Sequence, residues 1–461
     1  MAQRLNLSVE LGKKHHSGDG GSADSQRLKF ILLGCFSGTR DSSDSHANTH
    51  QGLRQVDLDN FDALLSEIQP SLKIRLSDQA EPLQLSFTSL DDFHPDQLHQ
   101  QLPQQQSPTS DVHKEQQPAN PRQSTSTRDQ QESDQQTLSR LLGKGTVTTP
   151  SASGSQANRT LVESVVGRLI DGSLKREGSE DTEQETDHSG PQRSLLKRVI
   201  HHPEFQALES NWRGLDWLVR SLESDELNTV FIFDMASDEW DLFSQEELDF
   251  PKSDCYRSLL ERFSNDHPSE QKFILICDKY FNSSSGDIRL LESLSLLGRS
   301  LNAQLIAASS ATLLSESDSD PDSMNQLKAF QQSEAAANVS LVLPRILMRM
   351  PYGEQYDPVE SFDFEELDTE WSNDELLWGN PGYALAIQLA ADNQSDQQQD
   401  AVALADCPSF AYRKNSESHL QPCTESLFTD LQLETLVELG MVPIVGSRRS
   451  NVVKIPWYRR L

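Results

Sequence analysis

Three observations predict an α/β fold, arranged as a small α/β unit and a larger α/β domain joined by a disordered linker. Short apolar runs of strand length recur at 28–33 (LKFILL), 229–233 (TVFIF), 273–277 (FILIC) and 304–308 (QLIAA), and runs of this kind fit buried strands better than helices of normal length. Helical patterns separate the later runs, so parallel pairing in an α/β layer is expected. The first run is set apart from the others by a long polar stretch. From Gln100 to Gln136, twelve of thirty-seven residues are glutamine, and such a segment buries too little apolar surface to offset the entropy of ordering it. The expected boundaries are therefore 1–99 for the front unit, 100–193 for the linker and 194–461 for the rear domain.

The first strand ends at Gly34. An amphipathic helix follows, with Phe61, Leu64, Leu65 and Ile68 on one face, a start at Asp59-Asn60 and a stop at Pro70. Residues 72–76 (LKIRL) and 83–87 (LQLSF) alternate apolar and polar positions, as half-buried strands do. Two islands interrupt the linker, with short helices expected near 137–143 and 159–172. The second places Leu161, Val165, Val166, Leu169 and Ile170 along one side, and both read as docking segments. The rear opens on a helical stretch broken at Pro203, whose second half aligns Phe205, Leu208, Trp212, Leu215, Leu218 and Val219 in one stripe. A further helix is expected over 287–300. At the two ends, 6–11 (NLSVEL) and 451–455 (NVVKI) are strand-like. Such peripheral strands either complete the sheet edge of another subunit or pair within their own chain, and the residues alone leave both open.

Charge and composition narrow the function. The chain has 461 residues with 40 Lys and Arg against 71 Asp and Glu, a formal net charge of −31. That balance opposes binding to nucleic acid or to an anionic membrane surface, both of which need clustered basic residues. Hydrophobic residues make up 35% of the chain, below the usual globular share of about 45–50%, which agrees with a substantial unfolded portion. The length suggests two to four domains. No apolar run approaches a membrane span and no secretory signal pattern opens the chain, so a soluble cytoplasmic protein is expected. Cys35, Cys255, Cys277, Cys407 and Cys423 are scattered without a CxxC, which fits buried thiols better than a disulfide framework or a zinc site.

Each motif with chemical potential has a plainer reading. The loop Gly34-Cys35-Phe36-Ser37-Gly38 follows a strand as a phosphate loop would, but it is neither GxGxxG nor GxxxxGK[ST] and supplies no lysine. It reads as a turn. The adjacent pairs His15-His16 and His201-His202 point to different sides of a helix rather than into one coordination sphere. Asp91-Asp92 and the run from Asp357 to Glu375, nine carboxylates in nineteen residues, lack the order of a calcium loop and read as a solvated or partner-facing surface. No GxSxG elbow is present. The sequence therefore points to no catalytic, cofactor-binding or metal-ligating residue, and to a protein that is not an enzyme.

Longer strings carry a resemblance. LKFILLGCFSG at 28–38, VDLDNFDALLSEIQPSLKIRL at 56–76 and LSFTSLDDFHPDQL at 85–98 resemble the small subunit of the type VI secretion contractile sheath (TssB, or VipA). HHPEFQALESNWRGLDWLV at 201–219, LPRILMRMPYGEQYDPVESFDFEE at 343–366, LLWGNPGYALA at 376–386 and QPCTESLFTDLQLETLVELGMVPIVG at 421–446 resemble the large subunit (TssC, or VipB). The chain thus resembles a fusion of the two. The resemblance implies a structural subunit of a sheath that assembles around an inner tube and contracts to drive effectors out. Its implied partners are other sheath protomers in a homo- or hetero-oligomer, inner-tube and baseplate proteins, and a disassembly ATPase. Exchanged terminal strands in the family make Leu7, Val9, Leu11, Val452, Val453 and Ile455 candidate inter-subunit contacts. Leu161, Val165 and Leu169 are candidates for contact with the ATPase. The small-subunit part departs from the family by losing its usual C-terminal helices after Leu98, and the large-subunit part is shorter than is typical. An accessory protein at the sheath end or baseplate that regulates assembly is the alternative function. Within the strings, Trp212 and Trp217 are expected to anchor the first rear helix to the sheet, Arg213 to pair with Glu209 one turn away, and Pro351-Tyr352-Gly353 and Trp378-Gly379-Asn380-Pro381 to form turns.

Overall fold

In the computed structural model the run LKFILL is buried on both faces, and its place in the sheet accounts for that composition. The structure describes residues 27–38, 52–76, 81–102, 190–222, 227–263, 271–310, 321–394, 403–414, 417–448 and 450–458. The front of the chain supplies β1 (Arg27–Gly34), β2 (Leu53–Val56), α1 (Phe61–Ile68), β3 (Ser71–Ile74), β4 (Leu83–Ser86) and α2 (Pro95–Gln101). The rear begins with α3 (Gly190–Ile200) and α4 (Pro203–Leu222). It continues through β5 (Asn228–Asp234), α5 (Ser237–Ser244), α6 (Asp254–Phe263), β6 (Gln271–Phe281), α7 (Ser285–Ser300), β7 (Ala303–Ser309), α8 (Pro321–Gln331) and β8 (Val339–Leu343). Shorter elements follow: β9 (Ile346–Leu347), β10 (Trp378–Gly379), α9 (Gly382–Gln394), β11 (Phe410–Lys414) and β12 (Glu417–Gln421). The chain then forms α10 (Asp430–Glu438), β13 (Met441–Pro443), β14 (Val445–Ser447) and β15 (Ser450–Lys454).

Seven strands form the main sheet in the order β13-β8-β7-β6-β1-β5-β2. Every pairing in it is parallel except that of β2, an antiparallel edge strand on β5. The two parts of the chain share this sheet. β1 of the front lies between β5 and β6 of the rear, with Leu28 to Gly34 in register with Asn228 to Asp234 on one side and Arg27 to Leu33 with Gln271 to Cys277 on the other. A parallel strand covered by helices on both faces needs apolar side chains in both directions. Phe30 and Leu32 enter one core layer with Val230, Ile232, Ile274 and Ile276, whereas Ile31 and Leu33 enter the other with Phe231, Phe233, Leu275 and Cys277.

The first layer is roofed by α1, α4 and α9, the second by α5, α6, α7, α8 and α10. All four residues expected on the inner face of α1 are buried, and so is the whole α4 stripe. Pro203 opens α4, where its missing N–H costs nothing. The two alternating runs of the front become β3 and β4, which pair with each other as an antiparallel hairpin outside the main sheet. Close packing of α4 on α9 depends on Gly214: a Cβ there would meet the Tyr383 ring at 2.2 Å. Among the described residues, no helix is long and apolar enough to cross a membrane.

Candidate functional site

Two of the long strings converge on a buried ion-pair network beneath α4. Glu209, on the inward face of α4, is wholly buried and accepts hydrogen bonds from Arg213 Nε at 2.7 Å and Arg349 Nε at 2.8 Å. The Arg213–Glu209 pair expected from helical spacing is thus present. Arg349, from the segment after β9, also donates Nη1 to Glu366 Oε2 at 2.7 Å and Nη2 to Glu366 Oε1 at 3.1 Å. Tyr352 closes the network by donating its hydroxyl to Glu209 Oε1 at 3.2 Å and its backbone N–H to Glu366 Oε2 at 2.7 Å. Its ring lies under the Arg349 guanidinium, 3.9 Å from centroid to Cζ.

Two arginines face two carboxylates, so charge is balanced inside the core. Burial alone pushes the Glu366 carboxyl up. The Arg349 charge, with hydrogen bonds from His201, Arg349 and the Tyr352 backbone, more than offsets that and leaves it at about 2. The same carboxylates hold the Arg349 guanidinium well above its ordinary value despite the opposing effect of burial. What this arrangement does chemically is clamp α4 to the 345–379 segment. Pro351-Tyr352-Gly353, expected as a turn, also carries one of the network's central groups.

The front of the chain is fastened to the same face. Trp212 packs edge-on against Phe36 at 5.5 Å and Phe61 at 5.7 Å and donates Nε1 to the Phe36 carbonyl at 3.0 Å. It therefore anchors α4 to front residues as well as to the sheet, while Trp217 is partly buried against the same core. Phe205 meets Phe87 and Phe93, themselves stacked at 4.2 Å. Asp96 accepts from the backbone of Glu360 and Ser361 at 3.1 and 2.9 Å. His94 sits edge-on to Tyr352 at 4.9 Å. Several carboxylates of the acidic run pair within the chain, among them Asp368 with Lys197 and Asp363 with Arg193.

At the carboxyl ends of β1 and β6 the chain crosses from one side of β1 to the other, the usual ligand position in an open α/β sheet. A cleft of about 310 Å³ lies there, lined by Cys35, Glu204, Asn211, Asp278 and Lys279 among others. The loop after β1 is indeed a turn. Its backbone amides at Phe36 and Ser37 donate to Asp234 Oδ1 at 2.8 and 3.0 Å, so the chain's own carboxylate takes the place an anion would occupy. Beside it, Asn211 donates to both the Cys35 carbonyl and Asp278. Asn380 donates to the Cys277 carbonyl at 2.8 Å and accepts from Gly382 N–H at the start of α9. Burial raises the Asp278 carboxyl to about 7, against the opposing hydrogen bonds from Asn211 and Asn380. The string expected as a second turn, Trp378 to Pro381, forms β10 on β9 and then this cap.

Of the residues singled out as partner contacts, Leu7, Val9, Leu11, Leu161, Val165 and Leu169 lie outside the described residues. The C-terminal candidates are held within the chain here. β15 pairs with β14 on one edge, and Val453 exchanges both backbone hydrogen bonds with Leu404 on the other at 3.0 Å. Val453 and Ile455 are fully buried, and Val452 is half-buried. Arg349 and Glu366 were not legible as a pair. The signal for Arg349 was a lone cation inside the apolar run ILMRMP, which demands a buried carboxylate from elsewhere.

Fold and clusters together define an α/β scaffold whose buried charges bind segments to one another. Residues 192–455 match the VipB family, described as EvpB/VC_A0108, tail sheath N-terminal domain. That match takes in more than half of the chain, and the chain belongs to this tail sheath family. Residues 12–107 match the family described as type VI secretion system, VipA, VC_A0107 or Hcp2, so one chain joins segments similar to both sheath subunits. Over 206 residues the chain is 29% identical to the type VI secretion system sheath protein TssC1 of Pseudomonas aeruginosa, a match that spans 41% of this chain and 41% of that protein.

Proposed function

We propose that the chain is a lattice subunit of a cytoplasmic type VI contractile sheath, supplying both subunit types at once, and that its lattice contracts around an inner tube to drive effector export. The reading is carried by the insertion of β1, from the VipA-like segment, between β5 and β6 of the VipB-like segment. One chain thereby contains the paired unit. Contraction of such a lattice draws on free energy stored in the extended assembly and released as bistable interfaces repack, and requires no catalysis. Neighbouring protomers are linked through the N-terminal segment around Leu7, Val9 and Leu11, whereas Val452, Val453 and Ile455 belong to or flank β15, whose two edges are taken within the chain. The segment bearing Leu161, Val165 and Leu169, whose spacing in the sequence predicts a helix, offers a handle for a disassembly ATPase.

Negative-stain microscopy of the chain co-expressed with its inner-tube and baseplate proteins tests this. Helical tubes with the chain present at hundreds of copies are expected. A monomer that never enters tubes, or a few copies at one tube end, overturns the lattice role, the latter in favour of an assembly regulator.

A further inference from the structure

The cleft at the carboxyl ends of β1 and β6 is walled by the first half of α4 on one side and by α5 on another. Its lining is largely apolar, with Leu72, Pro203, Ala207, Leu208 and the Trp240 ring facing the space. A concave volume of about 310 Å³ with such walls and a few convergent polar groups is the common form of a small-molecule site. Trp240 is 4% exposed, and its indole N–H is buried without a hydrogen-bond partner among the described residues. A buried donor without an acceptor is costly, and in a cavity wall it marks a place for one.

The charges of the lining select the kind of ligand. Glu204, Asp241 and Asp278 bring carboxyl groups against the ammonium of Lys279, and Lys279 is already shared between Asp241 at 3.8 Å and Asp287 at 3.4 Å. Asp278 is half-buried and accepts from Asn211 and Asn380, but it forms no ion pair among the described residues. An anion has no place here, because Asp234 already takes the loop amides and the remaining walls are acidic. Among the described residues no three His, Cys, Asp or Glu side chains converge as metal ligands must. A carboxylate beside an indole ring is instead the pairing that recognises an ammonium group.

We propose that this cleft binds a small organic cation, a primary ammonium on an apolar or aromatic body, with Asp278 as its counter-ion and the Trp240 ring packed against it. The site stands independently of the sheath reading, since it rests on the cleft alone. Burial raises the Asp278 carboxyl to about 7 against the hydrogen bonds from Asn211 and Asn380, and a cation placed beside it favours the ionised form. Below that value the ligand has to displace a proton, so affinity rises with pH up to about 7 and then levels. The other titratable groups around Asp278 come from each element packed on it: Cys35 after β1, Glu204 of α4, Asp241 of α5, Lys279 and Tyr280 of β6, and Tyr383 of α9. Burial holds both tyrosines far above this interval, so they stay neutral.

Calorimetric titration of the folded full-length chain with phenethylamine, and with phenethyl alcohol and phenylacetate as neutral and anionic counterparts of matching shape, tests the site. At about pH 8 phenethylamine should bind with a Kd of about 1 mM or tighter, and about tenfold or more tighter than either counterpart. Its affinity should fall about tenfold for each pH unit below about 7, with proton release appearing as a dependence of the binding heat on the buffer. Asp278→Asn should weaken binding about tenfold or more at about pH 8 and flatten the pH profile. Ala207 is exposed, so Ala207→Trp fills the cleft from its outer wall without entering the core; it should abolish binding with the thermal midpoint in place, and it decides the matter where Asp278→Asn misfolds. No saturation at ten times the expected Kd, or binding that survives Ala207→Trp, overturns the site. Binding of the alcohol or of phenylacetate as tight as that of the amine, or an affinity that stays flat from about pH 5 to about pH 8, overturns Asp278 as the counter-ion.

Discussion

Arg349 is the residue on which the buried network turns, because among the described residues it is the arginine that pairs with both Glu209 and Glu366. Removing it leaves Glu366 with only His201 and the Tyr352 backbone N–H beside it, and Glu209 with Arg213. Breaking a buried pair from one side costs about 3–5 kcal/mol, so Arg349→Met should lower the urea-unfolding free energy by that amount. Adding Glu366→Gln to it should recover part of the loss. Asp278 makes the opposite case. Its folded-state value of about 7 against an ordinary 3.8 means that the native state holds a proton the unfolded chain releases, so its contribution to stability falls as pH rises from about 4 to about 7 and then levels. Asp278→Asn lacks that loss. Its stability relative to the unsubstituted chain should grow across that interval and hold constant above it, as read from thermal unfolding at stepped pH. At this scale the sequence was readable only where partners are local. Glu209 and Arg213 are one helical turn apart, whereas Arg349 meets Glu209 from 140 positions away, and nothing in local spacing encodes that meeting.

Elements were legible in proportion to their apolar content. β1, β5, β6 and β7 each carry a run that no solvated segment would tolerate, and α1, α4 and α7 carry stripes at helical spacing. β2 was missed because LRQV is short and exposes most of one face at the sheet edge, and α2 because PDQLHQQ buries only Pro95 and Leu98. The value of α4 as an element lies in its contact with three parts of the molecule: the front through Trp212, the 345–379 segment through Glu209, and α9 through Gly214. Trp212→Ala should cost about 3–5 kcal/mol, the usual loss for a fully buried tryptophan. Because the indole also bonds the Phe36 carbonyl, limited proteolysis should expose the front of the chain before the rear in this variant.

For the whole molecule, the shared sheet makes the described residues of the front and the rear one folded body. Local pattern could not reveal which strands flank β1, since a parallel partner is chosen by packing and connection rather than by sequence neighbours. A protease site placed between residues 120 and 130 should therefore yield two pieces that co-elute on size exclusion under native conditions and separate only in denaturant. Pieces that part without denaturant would contradict the register of β1 with β5 and β6.

The position of β1 has a further consequence for how the protein is made. The strand leaves the ribosome nearly two hundred residues before β5, so a central strand of the sheet is synthesised first and waits for both of its parallel neighbours. Until then an apolar strand with two open edges must be kept from other chains, the situation in which pairing errors and aggregation arise. Loop closure depends only logarithmically on length, with each doubling of the connection costing about 0.6 kcal/mol. The span between the two parts is therefore under little thermodynamic constraint, and its length can vary at small cost to the finished sheet.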